Sequence, residues 1–302
     1  MKGASTVVAV AIEDEDGGGA AGQPGRLILT VYGLYARERG GWLPIAGLVR
    51  LLGEVGINVQ AVRSAIHRLK RRGLVDAQRR ADAAGYALSD DAHGLLAEGD
   101  VRIFGHTRGA ADDGWLLVVF SVPDTERAKR YQLRSTLTRL GFGTVSPGTW
   151  IAPRHLETAT VETLERAGLD GFTQVFAGPH VAGGDLAALV ASWWDLDGLR
   201  ELYADFLERF EPVGARWLSP GDTADDAPGD DARAFVDLVD MLTAWRRLPY
   251  ADPGLPLELL PAGWNGERAH ELFAALSARL RAPAARHVEA LLGPAETLPA
   301  AG

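Results

Sequence analysis

The sequence predicts an α+β protein in three parts: an N-terminal winged helix-turn-helix, a central ferredoxin-like α+β domain and a mainly helical C-terminal domain. Three observations carry this expectation. Residues 26–98 hold three helical periods of apolar residues and then a two-strand hairpin pattern. Residues 115–178 alternate strand and helix patterns in the order β-α-β-β-α-β. From residue 185 onward Leu, Val and Ala recur at helical spacing with no strand-like alternation.

The elements follow in chain order. Residues 1–25 contain Gly17-Gly18-Gly19, four acidic residues and Pro24 but no aromatic side chain, a composition that predicts a disordered tail. Residues 26–38 form a helix pattern with Leu27, Leu29, Val31, Leu34 and Tyr35 on its apolar stripe, stopped by Gly40-Gly41. Trp42-Leu43-Pro44 leads into a short helix with Leu48, Leu51 and Leu52 inward and Pro44 near its start. Asn58 caps a third helix that runs to about Arg72 and ends at Gly73. Leu74-Val75 and Tyr86-Ala87-Leu88 flank a polar turn at 82–85 and predict a hairpin, followed by a helix over 90–98 capped by Ser89.

Residues 99–114 have the composition of a linker. The apolar run Trp115 to Ser121 is a buried strand, and 125–140 is a helix with Tyr131, Leu133, Leu137 and Leu140 on its apolar side. Strands around 142–145 and 149–151, a helix over 155–167 and a strand over 172–177 complete the central domain, placed at 115–178. A second linker covers 178–184. The C-terminal domain, 185–282, holds helices over 185–211, 231–247 and 266–281, with a Pro/Asp/Gly loop at 219–230 and a tail at 283–302.

Composition narrows the function classes. The chain has 302 residues and no cysteine, which excludes disulfides, thiolate metal sites and a Cys nucleophile. No apolar run approaches the ~18 residues of a membrane span, and Val7 to Ile12 is too short for a signal peptide, so the expected location is cytoplasmic, away from membranes. The net charge is −9, yet residues 26–82 carry eleven basic and four acidic residues, a local +7 against −16 elsewhere. A compact cationic module on an acidic body points to a polyanion-binding head.

The third helix supplies the chemistry. Val62, Ile66 and Leu69 recur at i, i+4 and i+7 and turn inward, which places Gln60, Arg63, Ser64, His67 and Arg71 on the opposite face. Arg pairs bidentately with guanine and Gln with adenine in a major groove. Arg68, Lys70 and Arg72 flank that stripe within reach of phosphates, and Arg79 and Arg80 sit near the hairpin tip. Solvated charge at a helix C-terminus accounts for Arg71 and Arg72. It does not account for Arg63, His67 and the hairpin arginines together, so double-stranded DNA is the expected partner.

The segment Ala61-Val62-Arg63, Arg68-Leu69, Gly73 and Tyr86-Ala87-Leu88 resembles the winged helix of the PaaX-type regulators of phenylacetate degradation. The resemblance extends through Trp115 to Pro123, Leu140 to Gly143, and Pro147 to Pro153. It continues with Trp194-Asp195-Leu196, Tyr203, Phe206, Trp245-Arg246-Arg247, Asp252 to Pro256, Leu259 to Pro261 and Trp264-Asn265-Gly266. It implies a homodimeric transcriptional regulator, usually a repressor, that leaves its operator when an aryl-CoA thioester such as phenylacetyl-CoA binds. It also implies that the central domain resembles the ferredoxin-like nucleases of CRISPR adaptation, without their activity. The turn Arg80 to Gly85 carries less positive charge than this family leads one to expect.

Enzyme motifs are absent: there is no Gly-x-Gly-x-x-Gly after a strand, no Walker A sequence and no i, i+4 pair among the seven histidines. No cofactor or metal is therefore expected, and an acyl-CoA is expected as effector only. Its apolar acyl end and anionic phosphates call for aromatics with a few cations, for which Trp150, Trp194, Tyr203, Trp245, Arg246, Arg247 and Trp264 are the candidates, although Trp at such positions is more often core. Asp195 and Asp197 are read as helix-start acids. Two rival readings are a nucleic-acid-processing enzyme using Asp124 of the central domain, which more simply caps the following helix, and a scaffold whose basic head binds an acidic protein.

Overall fold

The computed structural model describes residues 23–80, 82–105, 107–219 and 230–293. The expected tails at 1–22 and 294–302 and most of the 219–230 loop lie outside the described residues. The chain divides into two compact units, one drawn from 1–101, 207–245 and 270–302, the other from 102–206 and 246–269.

In the first unit α1 (Gln23–Val31) starts three residues ahead of the sequence estimate. Pro24 is tolerated there because the first turn of a helix has no use for its missing N–H. The helix runs on through a wide π turn (Tyr32–Ala36) and a tight 3₁₀ turn (Arg37–Arg39), and Gly40 ends it with φ 62°. Trp42–Pro44 is a strand, β1, where the sequence had suggested only the approach to a helix. It is followed by α2 (Ile45–Glu54) and α3 (Val59–Arg71), and then by the antiparallel pair β2 (Val75–Arg80) and β3 (Ala83–Leu88). The three strands order as β1-β3-β2. Pro44 stands opposite Gly85, and any Cβ at Gly85 would run into the Leu43 carbonyl and the Trp42 ring, so glycine is what lets β1 close on β3.

The helix α4 (Asp90–Phe104) reaches six residues into the expected 99–114 linker. An ion pair from Arg37 to Asp100 (2.5 Å) lies on that extension.

The same unit holds the end of α8 (Leu196–Trp217), α9 (Asp231–Trp245) and most of α11 (Gly266–Leu292). Their inward faces complete the core beneath α1. Tyr35 packs on Phe235 with ring centres 5.9 Å apart, the Thr30 and Thr243 hydroxyls lie 2.9 Å apart, and Trp245, fully buried, stacks on Phe273 at 4.3 Å. Arg39 donates to the Gly293 carbonyl at 2.8 Å, and His287 meets the Glu54 carboxylate of α2 at 2.6 Å. The expected tail after 282 is thus helical to Leu292. Pro283 does not stop α11, because Leu280, Ala284 and Val288 keep a buried stripe at i, i+4, i+8 and tertiary packing outweighs the lost backbone bond.

The second unit is built on a four-stranded antiparallel sheet of β4 (Trp115–Phe120), β5 (Gly143–Ser146), β6 (Thr149–Pro153) and β7 (Thr173–Gly178) in the order β5-β6-β4-β7. This is the strand order of the predicted β-α-β-β-α-β plan. The period of two along β4 sorts its side chains. Leu116 and Val118 face α5 (Arg127–Leu140), packing with Leu137 and Leu140, while α6 (Glu157–Arg166) adds Leu164 alongside Leu133. Trp115 and Leu117 face the other way, toward Val190 of α7 (Leu186–Trp193), Leu196 and Leu255. Two expectations change here. Tyr131, read as apolar and inward, is 78% exposed. Asp124 lies inside a 3₁₀ turn, Asp124–Glu126, and does not cap α5; its carboxylate instead takes the Arg130 guanidinium at 3.1 Å. The short helix α10 (Leu248–Ala251) and the Pro-rich stretch after it complete the unit.

Candidate nucleic-acid interface

The α3 helix is fixed at both ends. The Asn58 side chain accepts the Ala61 N–H at 2.9 Å, and Gly73 takes φ 71° to turn the chain into β2. Its stripe of Val62, Ala65, Ile66 and Leu69 is buried. Gln60, Arg63, Ser64, His67, Lys70 and Arg71 are all exposed, while Arg68 and Arg72 are half-buried along the flanks. The structure therefore brings the five predicted groove-facing side chains onto one solvent-facing ridge, with further cations beside it. Three basic residues in the last turn also suit the negative end of the helix dipole.

The hairpin arginines part company. Arg79 is exposed and its guanidinium donates to the Asp82 carbonyl at 3.2 Å. Arg80 turns back. It donates to the Arg39 and Gly40 carbonyls at 3.2 and 3.0 Å, bonds Gln78, and sits 5.4 Å from the centre of the Trp42 ring. Arg80 thus fastens the hairpin to the end of the first helix, and Trp42 Nε1 ties the same strand through the Gln78 carbonyl. The sequence had no signal that separates these two neighbours, because the difference depends on which side of β2 each occupies.

The seven effector candidates do not form one cluster. Trp150 is buried among Leu116, Val118 and Phe142. Trp194 packs on Trp115 and Trp193 and donates its indole N–H to the Gly141 carbonyl at 2.9 Å. Trp245 belongs to the core of the first unit, as above. Arg246 is half-buried and Arg247 exposed. Tyr203 and Trp264 do meet, edge to face with ring centres 5.9 Å apart. At that corner Trp264 Nε1 and Asn265 Oδ1 are buried with no hydrogen-bond partner among the described residues.

Next to this pair lies a network that the sequence did not reveal. Asp252, 7% exposed, accepts from the Tyr203 hydroxyl (2.8 Å), from Arg108 (3.3 Å) and from the Gly254 N–H (2.8 Å). Arg108 also donates to Glu267 and to the Leu255 carbonyl at 2.7 Å. Burial first, and then the Asp252 charge, push the Tyr203 pKa far up, so its hydroxyl stays a donor. His155 closes against Gly109 and Gly254, and burial pulls its pKa below the usual value. The available hint was the run Asp252-Pro-Gly-Leu-Pro256, whose prolines mark a rigid turn; Arg108 carried none, lying in an apparent linker.

Among the described residues no group of three or more His, Cys, Asp or Glu side chains gathers to hold a metal, and no helix is long and apolar enough to cross a membrane.

Three family profiles match in series: "PaaX-like protein" over residues 23–92, "PaaX protein central Cas2-like domain" over 108–190, and "PaaX-like protein C-terminal domain" over 194–290. The chain is 30% identical over 263 residues to the transcriptional repressor PaaX of Escherichia coli (strain K12), a match that covers 86% of this chain and 80% of that protein. A solved structure, the uncharacterized protein Rv0674 from Mycobacterium tuberculosis, aligns with a TM-score of 0.53 at 24% identity, covering 84% of this chain and 96% of the other, and shows a shared fold.

Proposed function

We propose, for a chain that belongs to the PaaX family of transcriptional regulators, that it is a repressor that reads a double-stranded operator through the exposed ridge of α3. The observation that carries this reading is the ridge itself: Gln60, Arg63, Ser64, His67 and Arg71 face solvent together, on a helix whose other side is buried. In this reading α2, α3 and the β2–β3 hairpin act as a winged helix-turn-helix, at the head of a chain organised functionally as 26–98, 115–178 and 185–282. Gln60, Arg63, Ser64, His67 and Arg71 meet base edges, and Arg68, Lys70, Arg72 and Arg79 meet phosphates. Arg80 positions the wing.

The repressor acts in the cytoplasm as a homodimer whose two heads enter successive major grooves of an imperfect palindrome. An aryl-CoA thioester, phenylacetyl-CoA or a near relative, releases it, which ties the regulated genes to phenylacetate catabolism. The Tyr203–Trp264 corner supports an effector site there, since it combines aromatic faces with an unspent indole N–H and amide oxygen, close to the buried Arg108. A coupling of about 1–3 kcal/mol between effector and operator is enough for regulation.

A gel shift on the duplex upstream of its own gene tests the reading, with a scrambled duplex as competitor and a panel of CoA thioesters added. Retention of the upstream duplex against competitor, and its release by an aryl-CoA, are expected. Equal binding of both duplexes overturns the reading.

A further inference from the structure

We propose that the outward face of α5 in the second unit, lined by Arg127, Tyr131 and Arg134, is a second DNA-contact surface that grips the phosphodiester backbone of a duplex without reading its sequence. The inference rests on the DNA-binding reading above and adds to it a surface outside the α3 head.

In a chain of net charge −9, the fourteen residues of α5 carry five basic side chains and no acidic one. Leu133, Thr136, Leu137 and Leu140 turn inward. Arg127, Tyr131, Arg134 and Thr138 fall at i, i+4, i+7 and i+11, one line along the helix, and all four are exposed. Arg130 is committed to Asp124 and to the Val122 carbonyl. Arg127 and Arg134 have no hydrogen bond or ion pair among the described residues, so both guanidinium groups face water.

Tyr131 stands between them, 78% exposed. No packing demand places an aromatic ring there, but its hydroxyl can donate to a phosphate while the ring lies against sugar or a guanidinium. Seven residues of helix separate the two arginines, about 10 Å along the axis, over which one strand of B-DNA presents about three phosphates. Charge complementarity selects a polyanion, and a regular duplex backbone fits a straight row of donors.

The test measures binding of the full chain to two fluorescent duplexes, its upstream region and a random sequence, between 50 and 200 mM salt. Each phosphate contact adds about 0.9 to the slope of log K against log salt, so removing two with Arg127→Ala and Arg134→Ala lowers the slope by about 1.8. The wild type then loses roughly twelvefold more affinity than the double variant over that fourfold salt range. The preference for the upstream duplex stays unchanged, and the Arg127→Lys, Arg134→Lys pair keeps the wild-type slope. An unchanged slope in the alanine pair overturns the proposal, as does a loss confined to the upstream duplex. Loss of preference in an Arg63→Ala, Arg71→Ala variant tests the α3 reading separately. A wild-type chain that binds neither duplex at 50 mM salt overturns both.

Discussion

Replacing Asp252 with alanine is the sharpest test of what holds the second unit together. The carboxylate is nearly out of solvent and serves three donors at once: the Tyr203 hydroxyl, the Arg108 guanidinium and the Gly254 N–H. Arg108 keeps only 11% of its side chain exposed, so losing Asp252 leaves its buried charge to Glu267 alone, a carboxylate 3.0 Å away that is 46% exposed. Breaking a buried pair from one side costs about 3–5 kcal/mol, and the Glu267 pair that remains puts this case at the lower end, about 3 kcal/mol. Asp252→Asn keeps the shape and the acceptor for Gly254 and removes the charge, so about 1.5–3 kcal/mol is expected, the range for hydrogen bonds to charged groups. For a chain of this size the alanine variant should lower the Tm by on the order of 10 °C. Urea and thermal unfolding followed by tryptophan fluorescence report it directly, since Trp264 packs on Tyr203. An alanine variant that unfolds at the wild-type midpoint refutes the reasoning, because Glu267 and water would then hold the guanidinium at no cost.

Further expectations concern both units. Asn58→Ala removes the cap of α3, costs about 1 kcal/mol, and frays the turn that carries Gln60 and Arg63; operator affinity should fall several-fold while the Tm changes little, and unaltered affinity counts against the cap. Gly85→Ala places a Cβ against the Leu43 carbonyl and should detach β1 from β3, seen as faster amide exchange at Leu43; unchanged exchange contradicts the close approach. Burial lowers the pKa of His155 in the folded chain, so the unfolded chain takes up a proton first as pH falls below about 6.5. Stability should be insensitive to this group above that pH and decline below it. His155→Gln should flatten that decline, and an identical pH profile in the two proteins would refute it.

The sequence made α3 legible because every local signal agreed there: a capping Asn58, apolar residues at i, i+4 and i+7, and Gly73 at the point where φ turns positive. The order of elements in the second unit was legible for a related reason, since the apolar run from Trp115 and the strand and helix patterns after it follow the β-α-β-β-α-β plan. What the sequence hid depends on partners far along the chain. Three residues, Trp42 to Pro44, become a strand only because β3 lies alongside. Tyr131 has the hydropathy of a core residue, and only the rotation of α5 against the sheet sets it outside. The α11 helix passes a proline because Ala284 and Val288 are buried beyond it. Of the effector candidates, Trp150, Trp194 and Trp245 are accounted for by packing, and no local pattern distinguishes such a tryptophan from Trp264 with its unpaired indole N–H.

The central claim is that one face of α3 reads DNA. Its most direct measurement is the ratio of affinities for the upstream duplex and a scrambled duplex, at fixed salt, in the wild type and in the Arg63→Ala, Arg71→Ala variant, with circular dichroism confirming that both are folded. Both arginines are exposed and bury nothing, so the fold should be unchanged while the ratio falls toward one. A folded variant that still prefers the upstream duplex as strongly as the wild type would place the reading surface elsewhere.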